Sequence, residues 1–328
     1  MKILLISGFL GSGKTSFIKA MSKATKRQFV IVENEFGDMG IDGEILKSDT
    51  LNSKNTDMKI WELSEGCICC SLNLDFTHSV LTIANTLNPD YLIVEPSGVA
   101  FPSKIISQLR KICYERIELL PLITIIDAYH YKNSKKDFPD YFYDQLNNAS
   151  SIILSKSESM DYNNFLSIKN ELNIDDKTFF PTTHYSKWSE DIWFNLLNGN
   201  IDYTRENKIS NIEITKEQQL DNISITNIGI TNPATLTIAL NILISGALGK
   251  IVRAKGYFKA GRDWIKFDLV DGSYAITGCT PMPDNRVVVI GNNLNKSSIK
   301  MLFENKVIKK LKNISAIKSK NLSIKNRR

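Results

Sequence analysis

Gly8-Phe9-Leu10-Gly11-Ser12-Gly13-Lys14-Thr15 follows the apolar run Ile3-Leu4-Leu5-Ile6 and precedes Phe17, Ile18 and Met21, which recur at helical spacing. A glycine-punctuated turn between a buried strand and a helix is the context a phosphate-binding loop needs. Gly8, Gly11 and Gly13 let the backbone curl so that successive N–H groups point at the β-phosphate, with Ser12 and Ser16 among the nucleotide-binding candidates. Lys14 neutralises charge on the β- and γ-phosphates, and the Thr15 hydroxyl is placed to ligate Mg²⁺. The stretch therefore predicts a nucleoside triphosphate site on an α/β fold.

The rest of the first 200 residues agrees. Short, continuously apolar, β-branched runs at 2–6, 28–33, 58–63, 90–95, 121–126 and 150–155 alternate with helical patterns at 14–25, 74–87, 103–111 and 162–171. Such strands are buried on both faces, so the expectation is a P-loop NTPase with a mostly parallel sheet, helices on both faces, and ligands at the strands' carboxyl ends. Around 201–222 the pattern breaks into a polar linker. Beyond it, strand patterns at 223–230, 250–258, 263–270, 272–277 and 286–291 accompany a helix from Asn232-Pro233 to Ser245-Gly246 and another from Asn295. That is the signature of a smaller α+β domain with a mostly antiparallel sheet. The expected organisation is a nucleotide-binding domain over 1–200, a linker over 201–222, an α+β domain over 223–305, and a basic tail over 306–328.

At 328 residues the chain is long enough for two cores. No apolar run reaches the ~18 residues of a membrane span, and the Ile3–Ile6 run is too short for a leader's apolar region, so a cytoplasmic protein without a membrane partner is expected. The tail holds nine Lys or Arg and no acid; subtracting them from a net charge of +6 leaves the rest at about −3. Composition rich in Lys, Asn and Ile produces such a solvated terminus by itself, so nucleic acid is not expected as a partner.

Three further segments carry chemistry. Tyr91-Leu92-Ile93-Val94-Glu95 ends a strand pattern in a carboxylate and is followed by Pro96-Ser97-Gly98, the arrangement expected of an acid that organises Mg²⁺ beside a turn sensing the γ-phosphate. Glu95 as a cap of the next helix is the plainer alternative. Lys14, Thr15 and Glu95 are thus the catalytic candidates. Gly66-Cys67-Ile68-Cys69-Cys70 packs three soft donors into a span that can face one cation, suited to Zn²⁺, Cu(I) or a related thiophilic metal, with a coordination position left for a further ligand. Asp38, Glu35, Asp42, His78, His130 and His184 are the candidates for it, Asp38 foremost; a buried thiol cluster or a redox pair remains the alternative. Finally, Ser155-Lys156-Ser157-Glu158 follows a buried strand where a guanine-reading loop belongs. Glu158 can accept from guanine N1–H and the 2-amino group, and Lys156 can lie along the base, but Ser155 lacks the reach of an amide, so a weakened guanine preference is expected; an ordinary polar loop is the plainer alternative.

Taken together, the P-loop, Glu33-Asn34-Glu35-Phe36-Gly37, Met39-Gly40-Ile41-Asp42, Gly66–Cys70, Glu95-Pro96-Ser97-Gly98, Ile126-Asp127, Asp144-Gln145 and, further on, Arg253-Ala254-Lys255-Gly256-Tyr257 and Arg286–Gly291 resemble the CobW family of P-loop GTPases, relatives of the UreG and HypB maturation proteins. The resemblance implies a GTP-dependent metallochaperone. Gly11, Gly13, Lys14 and Thr15 would bind phosphates and Mg²⁺, Glu95 would belong to the Mg²⁺ switch, and Cys67, Cys69 and Cys70 would hold zinc, or cobalt, for a client metalloprotein. It also allows a homo-oligomer. The alternative it supports is a maturation or reactivation chaperone of a metal- or corrinoid-dependent enzyme, with a structural metal at the cysteines. Three features differ from the family pattern: Pro96 stands at a usual Thr, Ser-Lys-Ser-Glu replaces Asn-Lys-x-Asp, and there is no His-rich segment. With neither an Arg finger nor a water-orienting Gln among these motifs, GTP hydrolysis is expected to be slow without a partner.

Overall fold

The computed structural model describes residues 1–33, 58–62, 74–114, 116–199, 220–226, 228–270 and 272–304. The acidic loop after Glu33, the Cys67-Ile68-Cys69-Cys70 segment, Asp38, most of the expected linker and the basic tail lie outside these residues. The chain divides into two compact units, Met1–Gln218 and Gln219–Arg328.

In the first unit, β1 (Lys2–Ser7), β2 (Phe29–Glu33), β3 (Met58–Glu62), β4 (Tyr91–Glu95), β6 (Ile123–Asp127) and β7 (Ser151–Ser155) form a parallel sheet in the order β3-β2-β4-β1-β6-β7. The two-residue strand β5 (Glu118–Leu119) pairs with the start of β1, and β6 takes over the same edge at Ile6 and Ser7. The strands read as continuous apolar runs because each residue is buried on one face or the other. Ile3, Leu5, Val30, Val32, Leu92 and Val94 pack under α2 (Leu74–Thr86) and α3 (Pro102–Arg110) through Phe76, Val80, Ile105 and Leu109. On the opposite face Leu4, Ile6, Phe29, Ile31 and Ile93 meet Phe17, Ile18 and Met21 of α1 (Lys14–Thr25) and Trp193, Leu196 and Leu197 of the helix at Glu190–Asn198. Burial of each such side chain contributes about 1.5–3 kcal/mol, so the sheet fixes where its loops emerge.

Between β6 and β7 run α4 (Tyr131–Asp137) and α5 (Pro139–Asn147), which the apolar spacing does not announce. The buried face of α5 includes Asp144 and Gln145 beside Tyr141, Phe142 and Leu146, so polar residues interrupt its stripe. α6 (Tyr162–Glu171) opens with a capping box, Asp161 accepting from the Asn164 N–H while Asn164 accepts from that of Asp161. α7 (Glu190–Asn198) stops at Gly199, held in the left-handed region at φ 67°.

The second unit is a five-stranded antiparallel sheet, β11-β10-β9-β12-β8, built from β8 (Asp221–Ile225), β9 (Lys250–Ala260), β10 (Asp263–Val270), β11 (Ser273–Cys279) and β12 (Arg286–Asn292). α8 (Pro233–Ile244) and α9 (Lys296–Phe303) supply Leu236, Leu240, Leu243, Ile299 and Phe303 to one core with Ala254, Phe258, Phe267, Val287 and Val289. Asn232 and Asn295 cap these helices by accepting from Thr235 and Ser298 N–H. β8 starts at Asp221 and stops at Ile225, short of the expected 230, because its partner β12 begins at Arg286, and the Gly229 N–H turns instead to the Phe303 carbonyl. No helix among the described residues is long and apolar enough to cross a membrane.

Candidate nucleotide site

The P-loop joins β1 to α1 at the carboxyl edge of the sheet. Gly8, Gly11 and Gly13 take φ of 144°, 72° and 89°. Gly8 has a second reason to be glycine: a Cβ there would lie 2.3 Å from the Ile125 carbonyl oxygen and 2.6 Å from Ser12 Oγ. α1 begins at Lys14 without any side-chain hydrogen bond capping its first turn. Ser12 Oγ is buried with no hydrogen-bond partner among the described residues. Lys14 is buried, and its Nζ donates to the Gly8 carbonyl at 3.0 Å, so the ammonium is held within the loop. Donor-rich backbone, an orphaned hydroxyl and a centred ammonium form a set that fits phosphate oxygens. Ser16 is exposed on the first turn of α1.

Two other loops converge on this one. Thr15 Oγ1 donates to Glu95 Oε1 at 3.0 Å, bringing together the hydroxyl and the carboxylate that suit a hard divalent cation. Glu95 does not cap α3, whose N-cap residue is Phe101 and whose Ser103 N–H goes to Asp144 Oδ2 at 3.1 Å. Gly98 presses on the P-loop so closely that a Cβ would fall 2.3 Å from the Leu10 nitrogen. Gln145 Nε2 holds this turn by donating to the Gly98 carbonyl at 3.0 Å. The Asp144-Gln145 pair thus serves as a brace.

From the other side, Ser155 Oγ donates to the Ser12 carbonyl at 2.5 Å, tying the loop after β7 to the P-loop. Lys156, at φ 56°, donates to Asp127 Oδ2 at 2.5 Å, which also receives His130 Nδ1 at 3.0 Å. Asp127 Oδ1 accepts from the Tyr129 and His130 N–H groups. Burial alone would raise the Asp127 pKa, but the Lys156 hydrogen bond and charge, with the Tyr129 and His130 bonds, bring it below its ordinary value of 3.8. The motifs alone assign Asp127 no role; the signal they carry is a carboxylate that ends β6 as Glu95 ends β4.

Glu158 is solvent-facing and lies beside the 184–187 turn, its Oε1 3.4 Å from His184 Nε2. Of the histidines considered as metal ligands, His78 is exposed on α2, His130 is engaged with Asp127, and His184 belongs to this turn. Among the described residues no group of three His, Cys, Asp or Glu side chains is placed to hold a metal ion.

Among known proteins, residues 2–173 match the CobW/HypB/UreG nucleotide-binding domain, and residues 222–307 match the cobalamin synthesis protein cobW C-terminal domain. The zinc chaperone CobW of a Sinorhizobium species is 28% identical over 193 residues, covering 52% of this chain and 54% of that protein. The zinc chaperone YeiR of Escherichia coli K12 is 34% identical over 157 residues, 47% of this chain and 46% of that protein. The chain thus spans about half the length of the curated relatives it matches. The crystal structure of the Zn(II)-bound YjiA GTPase from E. coli aligns over 92% of this chain and 98% of its own at 20% identity, with a TM-score of 0.43. With more than half of its length matched by the nucleotide-binding domain and the cobW C-terminal domain following, the chain belongs to the CobW/HypB/UreG family.

Proposed function

We propose that this protein is a GTPase that couples its nucleotide state to the binding and delivery of a thiophilic transition metal, zinc first and cobalt second, to a client protein. The observation that carries the reading is the junction of Lys14, Thr15 and Glu95, where phosphate-binding loop and strand-end carboxylate meet at 3.0 Å. Thr15 Oγ1 and Glu95 would hold Mg²⁺, which when bound supplies charge neutralisation at the β/γ oxygens. Lys14 and the P-loop N–H groups orient the triphosphate. Asp127 and Lys156 fix the base-side loop, and Glu158 accepts from guanine N1–H and the 2-amino group.

The metal half of the reading rests on the Cys-x-Cys-Cys spacing and on relatives that are named zinc chaperones. Cys67, Cys69 and Cys70, with Asp38 as a further ligand, would hold the cargo between the loops that follow β2 and β3. The test is the Zn²⁺ and Co²⁺ affinity of the reduced protein with Mg²⁺ and a non-hydrolysable GTP analogue, compared with Mg²⁺ and GDP. A difference of about tenfold or more, about 1.4 kcal/mol of coupling, that vanishes in the Cys67→Ser/Cys69→Ser/Cys70→Ser variant is expected. Equal affinities in the two nucleotide states would overturn it. GTP turnover by the isolated protein is expected to fall well below the few per second of partner-assisted GTPases.

A further inference from the structure

The turn at 184–187 is built against the P-loop helix. Tyr185, Trp188 and Trp193 all pack on Phe17 of α1, with ring centroids 5.3, 6.2 and 5.2 Å from it. Trp188 Nε1 donates to the Thr183 carbonyl at 3.1 Å, closing the turn on itself. His184 is therefore held in a fixed place, its side chain only 3% exposed.

Its tautomer follows from its neighbours. The Ser186 N–H donates to His184 Nδ1 at 3.3 Å, and the Ser186 hydroxyl lies 2.8 Å from the same nitrogen. With Nδ1 accepting, the proton of a neutral ring is on Nε2. Burial lowers the His184 pKa, opposed by the Glu158 charge and assisted by that of Lys187, which keeps the ring neutral. Nε2 is buried and has no hydrogen-bond partner in bonding geometry among the described residues, while Glu158 Oε1 is 3.4 Å away. A buried donor left unpaired is costly, and the solvent-facing Glu158 can close that gap by a small rotation. Lys187 Nζ reaches the Glu158 carbonyl at 3.5 Å, so the same turn also contacts the backbone of the acidic residue.

We infer that His184 is a specificity-determining positioning residue, whose Nε2–H holds one oxygen of Glu158 so that the carboxylate presents its free lone pairs to the edge of a guanine base. The inference deepens the proposed function and rests on the reading of Glu158 as the guanine acceptor. A carboxylate on an exposed, freely rotating side chain discriminates poorly; one whose orientation is set by a rigid donor does not have to be ordered by the ligand. The sequence contains no sign of this pairing, because only the packing of 181–188 under α1 brings residue 184 to residue 158.

The test is equilibrium binding of GTP and ITP, which share the triphosphate and ribose and differ only in the 2-amino group of the base. Changes in the P-loop or in overall folding cancel in their affinity ratio. The unmodified protein is expected to prefer GTP by about tenfold or more, the worth of a hydrogen bond to a charged acceptor. His184→Phe, which keeps the ring and removes the donor, is expected to bring the two affinities within about threefold, while His184→Gln, which keeps an N–H donor, retains most of the preference. A ratio in His184→Phe equal to that of the unmodified protein would overturn the inference. Glu158→Gln separates the two failures. If it abolishes the preference while His184→Phe does not, the role of His184 falls and that of Glu158 stands. If it leaves the preference intact, the reading of Glu158 falls, and the inference with it.

Discussion

The Thr15 hydroxyl donates to Glu95 Oε1 at 3.0 Å, joining residues 80 apart in sequence at the first turn of α1. The register that produces this contact is set by the sheet, since β1 and β4 pair Leu5 with Val94 and so bring the ends of both strands to the same edge. Thr15→Ala or Glu95→Gln should leave the sheet intact and remove one member of the proposed divalent-cation pair. GTP affinity measured with Mg²⁺ and with EDTA is expected to differ strongly in the unmodified protein. In either variant that gap should shrink by about tenfold or more, the ~1.5–3 kcal/mol of a contact to a charged group.

Gly98 is a point of close approach between the turn after β4 and the P-loop. A Cβ at this position would meet the Leu10 nitrogen at 2.3 Å and the Phe9 carbonyl carbon at 2.6 Å, both backbone atoms that cannot swing aside. Gly98→Ala should therefore cost about 1–3 kcal/mol as overpacking does and spread the two loops, weakening GTP binding. Gly246→Ala is the control, since its Cβ meets nothing within 4 Å and only the left-handed φ of 76° opposes it. Urea denaturation together with GTP titration checks both. Equal nucleotide affinities for the two variants would remove Gly98 from the site.

Much of this is legible in the sequence, for definite reasons. Strands buried on both faces must be apolar throughout, so β1, β4, β6 and β7 stand out within two residues of their observed ends. Gly8, Gly11 and Gly13 announce the P-loop because only glycine adopts its backbone at low cost. The α5 helix is not legible, since Asp144 and Gln145 occupy its buried side in order to brace Ser103 and Gly98. Nor is the work of Ser155, whose side chain is shorter than the amide a base-reading loop usually carries there. Its hydroxyl is directed to the P-loop, a contact between residues 143 apart that no local pattern records.

Asp127 gives a pH dependence with a determined sign. Its pKa is below 3.8 in the folded protein, so the folded state binds the proton less readily than the unfolded chain. The stability this contributes is fully present above the unfolded value and is lost as pH falls from there through the folded pKa. Asp127→Asn should lower stability at neutral pH, where Lys156 and His130 lose a charged partner, and should flatten the loss below about pH 4. Thermal unfolding followed from pH 7 to 3 in both proteins checks the crossing trend; parallel curves would show that the Lys156 contact contributes nothing.

Ser155→Ala removes the donor from the Ser12 carbonyl and leaves the residue otherwise in place, because the Ser155 side chain is almost fully buried. The lost bond is worth about 1 kcal/mol net, visible as a shift in the urea midpoint. A second effect separates this bond from an ordinary buried one. Ser12 is within the phosphate-binding curve, so releasing its carbonyl lets the N–H groups on either side reorient, and bound nucleotide should dissociate about fivefold faster, the rate equivalent of about 1 kcal/mol. GTP release followed by a fluorescent analogue measures it. An unchanged release rate alongside a shifted urea midpoint would confine Ser155 to holding the fold. A faster release would make the loop after β7 part of the clamp on the triphosphate.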